Sequence, residues 1–192
     1  MYRYVFKRLF DIVLAFLIIV LLVVPMLIIA LITMVDSRGH TFFMQKRCGK
    51  GRKPFVIIKF RSLPISAPGN VPTNALKHMT RTRWQRWLRQ TSVDELPQLF
   101  NILKGDMSFV GPRPVILAER ELIDERDRYG ANDIRPGLTG WAQINGRDEL
   151  NFKDKARFDG QYVRNISFAF DMRCLYNTFF SVLRQDGVRK EM

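Results

Sequence analysis

IVLAFLIIVLLVVPMLIIALITMV, from Ile12 to Val35, contains no charged residue. Its 24 positions would reach about 36 Å as a straight helix at about 1.5 Å per residue. About 20 apolar residues are enough to span a bilayer. The run is too long for a cleaved signal peptide, and no small-x-small cleavage site follows it. A buried helix of a soluble domain is also a poor fit at this length. The segment therefore reads as membrane-embedded. Pro25 lies near its middle, where it removes one backbone hydrogen bond and clashes with the preceding turn. Arg3, Lys7 and Arg8 flank the run on one side, and Arg38, Lys46, Arg47, Lys50, Arg52 and Lys53 on the other. Basic residues at both ends do not orient a span. Two arrangements stay open: a kinked single span, and a helix that enters, breaks at Pro25 and returns to the same side.

The rest of the chain has the composition of a folded domain. Of 192 residues, 47% are hydrophobic and 26% charged, which excludes a disordered chain. Lys and Arg number 31 against 18 Asp and Glu, a net charge of +13 that suits an anionic partner. Two cysteines, Cys48 and Cys174, exclude a disulfide-rich scaffold and fall short of a four-ligand zinc site. Two histidines, His40 and His78, offer no basis for a His-based metal centre. Residues 1–40 form a membrane segment and 41–192 a domain.

That domain reads as mostly α with a small β-hairpin, an α+β class. Thr41 to Arg47 and Pro54 to Phe60 are rich in β-branched and aromatic residues and flank a glycine-containing turn, the pattern of a hairpin. Ser66 to Pro72 is a loop. Asn74 to Gln90 reads as a helix with Trp84, Trp87 and Leu88 on one side and Arg81, Arg83, Arg86 and Arg89 around the rest, which suits either a headgroup interface or an ordinary amphipathic helix packed on the domain core. Leu96 to Lys104 forms a helix stopped by Gly105. Pro114 to about Arg128 forms another with proline at its first position. A long loop covers Ala131 to Arg147, and a last helix Phe168 to Leu183.

Chemistry concentrates in four places. Asp94 and Glu95 are adjacent acids at a helix start; with Asp94 as N-cap, Pro97 becomes the third helical residue, where a missing N–H costs nothing. Asp94 then either caps the helix or acts as a nucleophilic carboxylate beside a metal-holding Glu95. Gly111-Pro112-Arg113-Pro114 is a stiff turn presenting one arginine; it either offers a planar fork to a phosphate or is a rigid connector with a solvated arginine. Arg135 to Arg147 combines two arginines, three glycines and amides such as Gln143; it either wraps a polar ligand or packs as an Ω-loop. Lys59-Phe60-Arg61-Ser62 ends the hairpin. Asp159 and Asp171 read as structural ion pairs before metal ligands.

These blocks, in this order, resemble the monotopic polyprenol-phosphate phosphoglycosyl transferases, the bacterial sugar transferases. The resemblance runs through Tyr2-x-x-x-Phe6-Lys7-Arg8-x-x-Asp11, Pro25, Lys59 to Ser62, Thr91 to Asn101, Lys104 to Pro114, Arg135 to Arg147 and Asp159-x-x-Tyr162. It implies a re-entrant helix broken at Pro25, with both ends and the catalytic domain on the cytoplasmic face of the bacterial inner membrane. It implies transfer of a sugar-1-phosphate from a UDP-sugar to undecaprenyl phosphate with release of UMP. Asp94 would be the nucleophile and Glu95, with Asp94, would hold Mg²⁺. Lys59, Arg61, Arg113, Arg135, Gln143 and Arg147 would contact substrate. It further implies the minimal form of the family, a homodimer or downstream glycosyltransferases as partners, and no nucleic acid. The sugar is unspecified, with an amino sugar favoured. Leu63, Gln85, Val93 and Gly160-Gln161 depart from the usual family residues, and none of them touches the acid pair. The reading from a different class is a membrane-tethered scaffold or binding module for anionic partners, which would need no adjacent acids.

Overall fold

The computed structural model describes residues 2–68, 79–146 and 149–184. After a π-helical turn at Tyr2–Phe6, helix α1 runs from Lys7 to Asp36. It is long and apolar enough to cross a membrane, and only 11% of its most apolar 18-residue window is buried in the protein. One stripe of it meets the domain: Asp11, Ala15, Met26 and Thr33 are buried, and Ile18, Ile19, Leu22 and Ile29 are partly buried between them. Those positions recur at helical spacing, so a single face is covered and the rest stays open. The break expected at Pro25 is absent: helical backbone continues through it, and the proline ring is exposed on the open face of α1.

Both ends of α1 are bonded to the same body. Near its start, Asp11 Oδ1 accepts from the Phe109 amide (3.1 Å), and Arg8 donates to the carbonyls of Ile102 and Leu103 (2.6 and 2.9 Å). Near its end, Thr33 Oγ1 accepts from Trp84 Nε1, and Asp36 Oδ2 accepts from Thr82 and Gln85, each at 3.0 Å.

Strands β1 (Phe42–Cys48) and β2 (Pro54–Phe60) form the expected antiparallel hairpin, with Phe42 opposite Phe60 and Cys48 opposite Pro54. Alternation puts Phe55, Ile57 and Lys59 on one face of β2. Helix α2 covers Arg83–Gln90. Of the longer helix expected from Asn74, residues 74–78 lie outside the described residues, and Met79 to Thr82 are not helical. Thr82 instead makes a capping box with Gln85. That is a use for Gln85, which also reaches Asp36.

Helix α3 (Gln98–Lys104) ends at Gly105, whose φ of 101° is the left-handed turn expected there. The expected helix from Pro114 begins only at Arg120, as α4 (Arg120–Asp127). Pro114 to Ile116 is not helical: the Val115 carbonyl accepts from the Cys48 amide (2.9 Å), and Val115 and Ile116 enter the core.

The long loop is also more ordered than expected. It contains strand β4 (Gly137–Thr139), parallel to β3 (Ser108–Val110), and the short helix α5 (Trp141–Ile144). Its glycines serve backbone packing. A Cβ on Gly137 would lie 2.1 Å from the Gly111 nitrogen, and one on Gly140 would lie 2.1 Å from the Gly111 oxygen. Helix α6 (Phe152–Arg164), absent from the sequence reading, starts at Asn151, whose side chain accepts from the Asp154 amide. Helix α7 (Phe168–Arg184) closes the fold. Its Asp171 accepts from Tyr2 (2.6 Å), Lys7 (2.7 Å) and Tyr162 (2.7 Å), tying the start of α1 to α6 and α7.

Candidate active site

Asp94 and Glu95 lie in a 3-10 turn, Val93–Glu95, that precedes α3. Ser92 before them takes a left-handed φ of 57°. Asp94 caps no helix, because Pro97 occupies the N-cap position of α3. What places the turn is a contact further along. Asn101 of α3 donates to the Val56 carbonyl (2.7 Å) and accepts from the Ile58 amide (3.1 Å), pairing with β2 as a neighbouring strand would. Lys59 and Ser62, at the end of β2, are thereby set beside the two acids.

The acids have different surroundings. Asp94 Oδ2 accepts from the Ser62 hydroxyl (2.8 Å). Its carboxyl is pushed above the ordinary carboxylate range by burial, against the opposing charge of Lys59 and with the help of neighbouring Glu95. Glu95 Oε1 accepts from Lys59 Nζ (2.7 Å) and Arg113 Nη2 (3.2 Å). Burial works to raise this carboxyl too, but the two cations outweigh it and hold it at about 2. The pair is thus one carboxylate clamped by cations and one buried behind a hydroxyl.

Of the residues expected at the site, Lys59, Asp94, Glu95 and Arg113 come together. Arg61 does not join them directly: its guanidinium lies over the Phe43 ring, 5.8 Å from the centroid. Arg135 is at the opposite end of α3, where its Nε donates to the Gly105 carbonyl (2.8 Å). With Arg8 it satisfies carbonyls left open at a helix C-terminus. Gln143 Nε2 donates to the Leu138 carbonyl (3.1 Å) and braces its own loop. Arg147 lies outside the described residues.

The sequence reading overlooked Ser62 and Asn101 as site residues. Ser62 could have been found from its place three residues after Lys59 at the end of a strand. Asn101 gave no local signal, because its partners are 43 and 45 positions away. Asp159 and Asp171 make the ion pairs expected of them: Asp159 pairs with Arg126 (2.7 Å) and Asp171 with Lys7 (2.7 Å).

Residues 2–185 match the family model described as bacterial sugar transferase, and the chain belongs to that family. It is 37% identical to the protein of Bacillus subtilis (strain 168) named uncharacterized sugar transferase EpsL, over 97% of this chain and 91% of that one. It is 41% identical to the UDP-glucose:undecaprenyl-phosphate glucose-1-phosphate transferase of Escherichia coli (strain K12), over 91% of this chain and 39% of that protein. It is 35% identical to the UDP-N-acetylgalactosamine-undecaprenyl-phosphate N-acetylgalactosaminephosphotransferase of Aeromonas hydrophila, over 95% of this chain and 45% of that protein. The chain therefore spans less than half the length of the two relatives with a named substrate.

Proposed function

We propose that this protein transfers a sugar-1-phosphate from a UDP-sugar to undecaprenyl phosphate, through a covalent intermediate on Asp94, and releases UMP. The observation that carries the reading is the asymmetric acid pair, with Glu95 clamped by Lys59 and Arg113 and Asp94 held by Ser62. A carboxylate of raised proton affinity is the better nucleophile of the two. Asp94 attacks the β-phosphorus of the donor, the bond from that phosphorus to the bridging oxygen breaks, and UMP departs. An oxygen of the lipid phosphate then attacks the same phosphorus and frees Asp94. Lys59 and Arg113 stabilise charge on the phosphoryl oxygens, the main requirement of this chemistry. Ser62 fixes the rotamer of the nucleophile.

Two adjacent carboxylates fit Mg²⁺, which takes hard oxygen donors and commonly uses one or two carboxylates plus substrate phosphates. Glu95, with Asp94, would hold the ion, which supplies positive charge to the diphosphate.

The reading also embeds α1 in the bacterial inner membrane with both of its ends and the domain on the cytoplasmic face, as a helix that stays continuous through Pro25. Support comes from its largely open apolar surface and from the bonds that tie both its ends to one body. A helix that crossed the bilayer would leave one end on the far side.

Incubation with Mg²⁺ and UDP-glucose, UDP-galactose or UDP-N-acetylgalactosamine, without lipid, should give a phospho-sugar mass adduct that Asp94→Asn lacks. UMP release without an adduct would keep the reaction and remove the covalent role. Neither adduct nor release, with undecaprenyl phosphate added, would refute the transferase.

A further inference from the structure

The arginine that clamps Glu95 sits on a turn whose main chain is fixed at every step. The Gly111 amide donates to the Thr139 carbonyl, and the Pro112 carbonyl accepts from the Gly137 amide, both at 2.9 Å. The carbonyls of Arg113, Pro114 and Val115 accept, in order, from Arg126 Nη1 (3.0 Å), Arg47 Nη1 (3.4 Å) and the Cys48 amide (2.9 Å). Two of these donors are arginine side chains rather than secondary structure, Arg126 buried and Arg47 half-buried.

Arg126 is the more committed of the two. It is 4% exposed, and Nε and Nη2 both bond Asp159 Oδ2, at 2.8 and 2.7 Å. Asp159 is 1% exposed and lies on α6, whose next residue is Gly160. A Cβ on Gly160 would stand 2.6 Å from Tyr129 Cβ, so only glycine lets α6 approach the end of α4 closely enough for this pair to form. A buried ion pair is costly to desolvate and adds little net stability over apolar residues of the same volume. Its third bond, to the Arg113 carbonyl, is what an apolar pair could not supply.

We propose that Arg126 and Asp159 are positioning residues for the phosphate-facing Arg113: Asp159 orients the Arg126 guanidinium, and Arg126 holds the backbone from which Arg113 reaches Glu95. This rests on the transferase reading for its effect on turnover, but not for its effect on the turn. Arg113 is a long side chain, 46% exposed, and would otherwise sample many rotamers. Anchoring its backbone reduces what must be ordered when substrate arrives. Displacement of a charge-stabilising group by about 1 Å is enough to cost about 100-fold in rate.

The test removes the pair together, as Arg126→Met with Asp159→Leu, so that no buried charge is left unpaired. It is made with and without Arg113→Met, in the full chain in lipid nanodiscs. Thermal midpoints confirm that each variant is folded. With Arg113 present, loss of the pair should lower kcat/KM for the active UDP-sugar about 10- to 100-fold, mainly in kcat. In the Arg113→Met background the same change should cost less than about threefold, because its route to the substrate is already gone. An equal loss in both backgrounds would overturn the proposal. Amide exchange at Gly111 gives a readout that needs no turnover: it should rise about tenfold or more when the pair is removed and stay unchanged in Arg113→Met. Unchanged exchange would also overturn it. If the wild type turns over no donor, the transferase reading fails, and the exchange experiment still decides the role of the pair.

Discussion

Lys59→Met removes one of the two cations on Glu95, and its consequence can be worked through. Glu95 is held at about 2 against an ordinary value of 4.5. At about 1.4 kcal/mol per pH unit, that is about 3 kcal/mol of net charge stabilisation. Lys59 makes the shorter contact, 2.7 Å against 3.2 Å for Arg113, so the larger share, about 2 kcal/mol, should be lost with it. For a chain of this size, 1 kcal/mol moves the melting temperature by about 2–4 °C, so the midpoint at pH 7 should fall by about 4–8 °C. The pH dependence should change as well. A carboxyl depressed in the folded state contributes stability above its unfolded pKa and loses it as pH falls through the folded value. In the wild type that loss runs from about pH 4.5 down to about 2. In Lys59→Met most of it should vanish. Thermal unfolding followed by tryptophan fluorescence in magnesium-free buffer, from pH 7 to pH 3, reads both effects. An unchanged midpoint with an unchanged acid slope would refute the clamp. So would Arg113→Met costing more than Lys59→Met.

Other outcomes follow from the same contacts. Asp94→Asn should abolish turnover yet raise the melting temperature at pH 7, because burial disfavours the charge that the amide lacks while the bond from Ser62 survives. The acid limb of the pH–rate profile should fall at a pH above the ordinary aspartate value, since Asp94 must be ionised to attack and burial raises its carboxyl. Asp171→Ala should lower stability by about 3–5 kcal/mol, measured by urea unfolding, because it strands Lys7 and leaves two tyrosine hydroxyls without their acceptor. Gly137→Ala should cost about 3 kcal/mol or more, because its methyl would enter the Gly111 backbone; a soluble-expression and melting comparison against wild type checks it.

Elements with local signals were legible in the sequence. The hairpin, the stop at Gly105 and α7 have their own residues to announce them: alternating β-branched runs, a left-handed glycine and a helical apolar period. So do Lys59, Asp94, Glu95 and Arg113, which sit in short blocks of special chemistry. Long-range bonding decided the rest. Pro114 is a good first helical residue, but the Cys48 amide and the Arg47 side chain claim the carbonyls of Val115 and Pro114 and keep the chain out of the helix. Strands β3 and β4 are three residues each and exist only as a pair. Asp94 looks like a cap because Pro97 suits the third helical position, yet tertiary bonding through Asn101 sets the turn elsewhere. Arg135 has the composition of a ligand-binding arginine, and its position at the end of α3 assigns it to a helix terminus instead.

The acid pair shows how neighbours in sequence acquire separate duties. Two adjacent carboxyls begin with nearly the same chemistry. A 3-10 turn sets both against the end of the hairpin, which offers a lysine to one and a serine to the other. Glu95 therefore carries a charge that is stabilised before substrate arrives. Asp94 accepts from a neutral hydroxyl, and burial leaves its carboxyl with raised proton affinity. Environments that push two titratable groups apart are how one site comes to hold distinct acid and base roles. Here the division depends on Asn101 pinning α3 to β2. Without that contact Lys59 and Ser62 would lose the anchor that fixes the end of β2 against the acid turn.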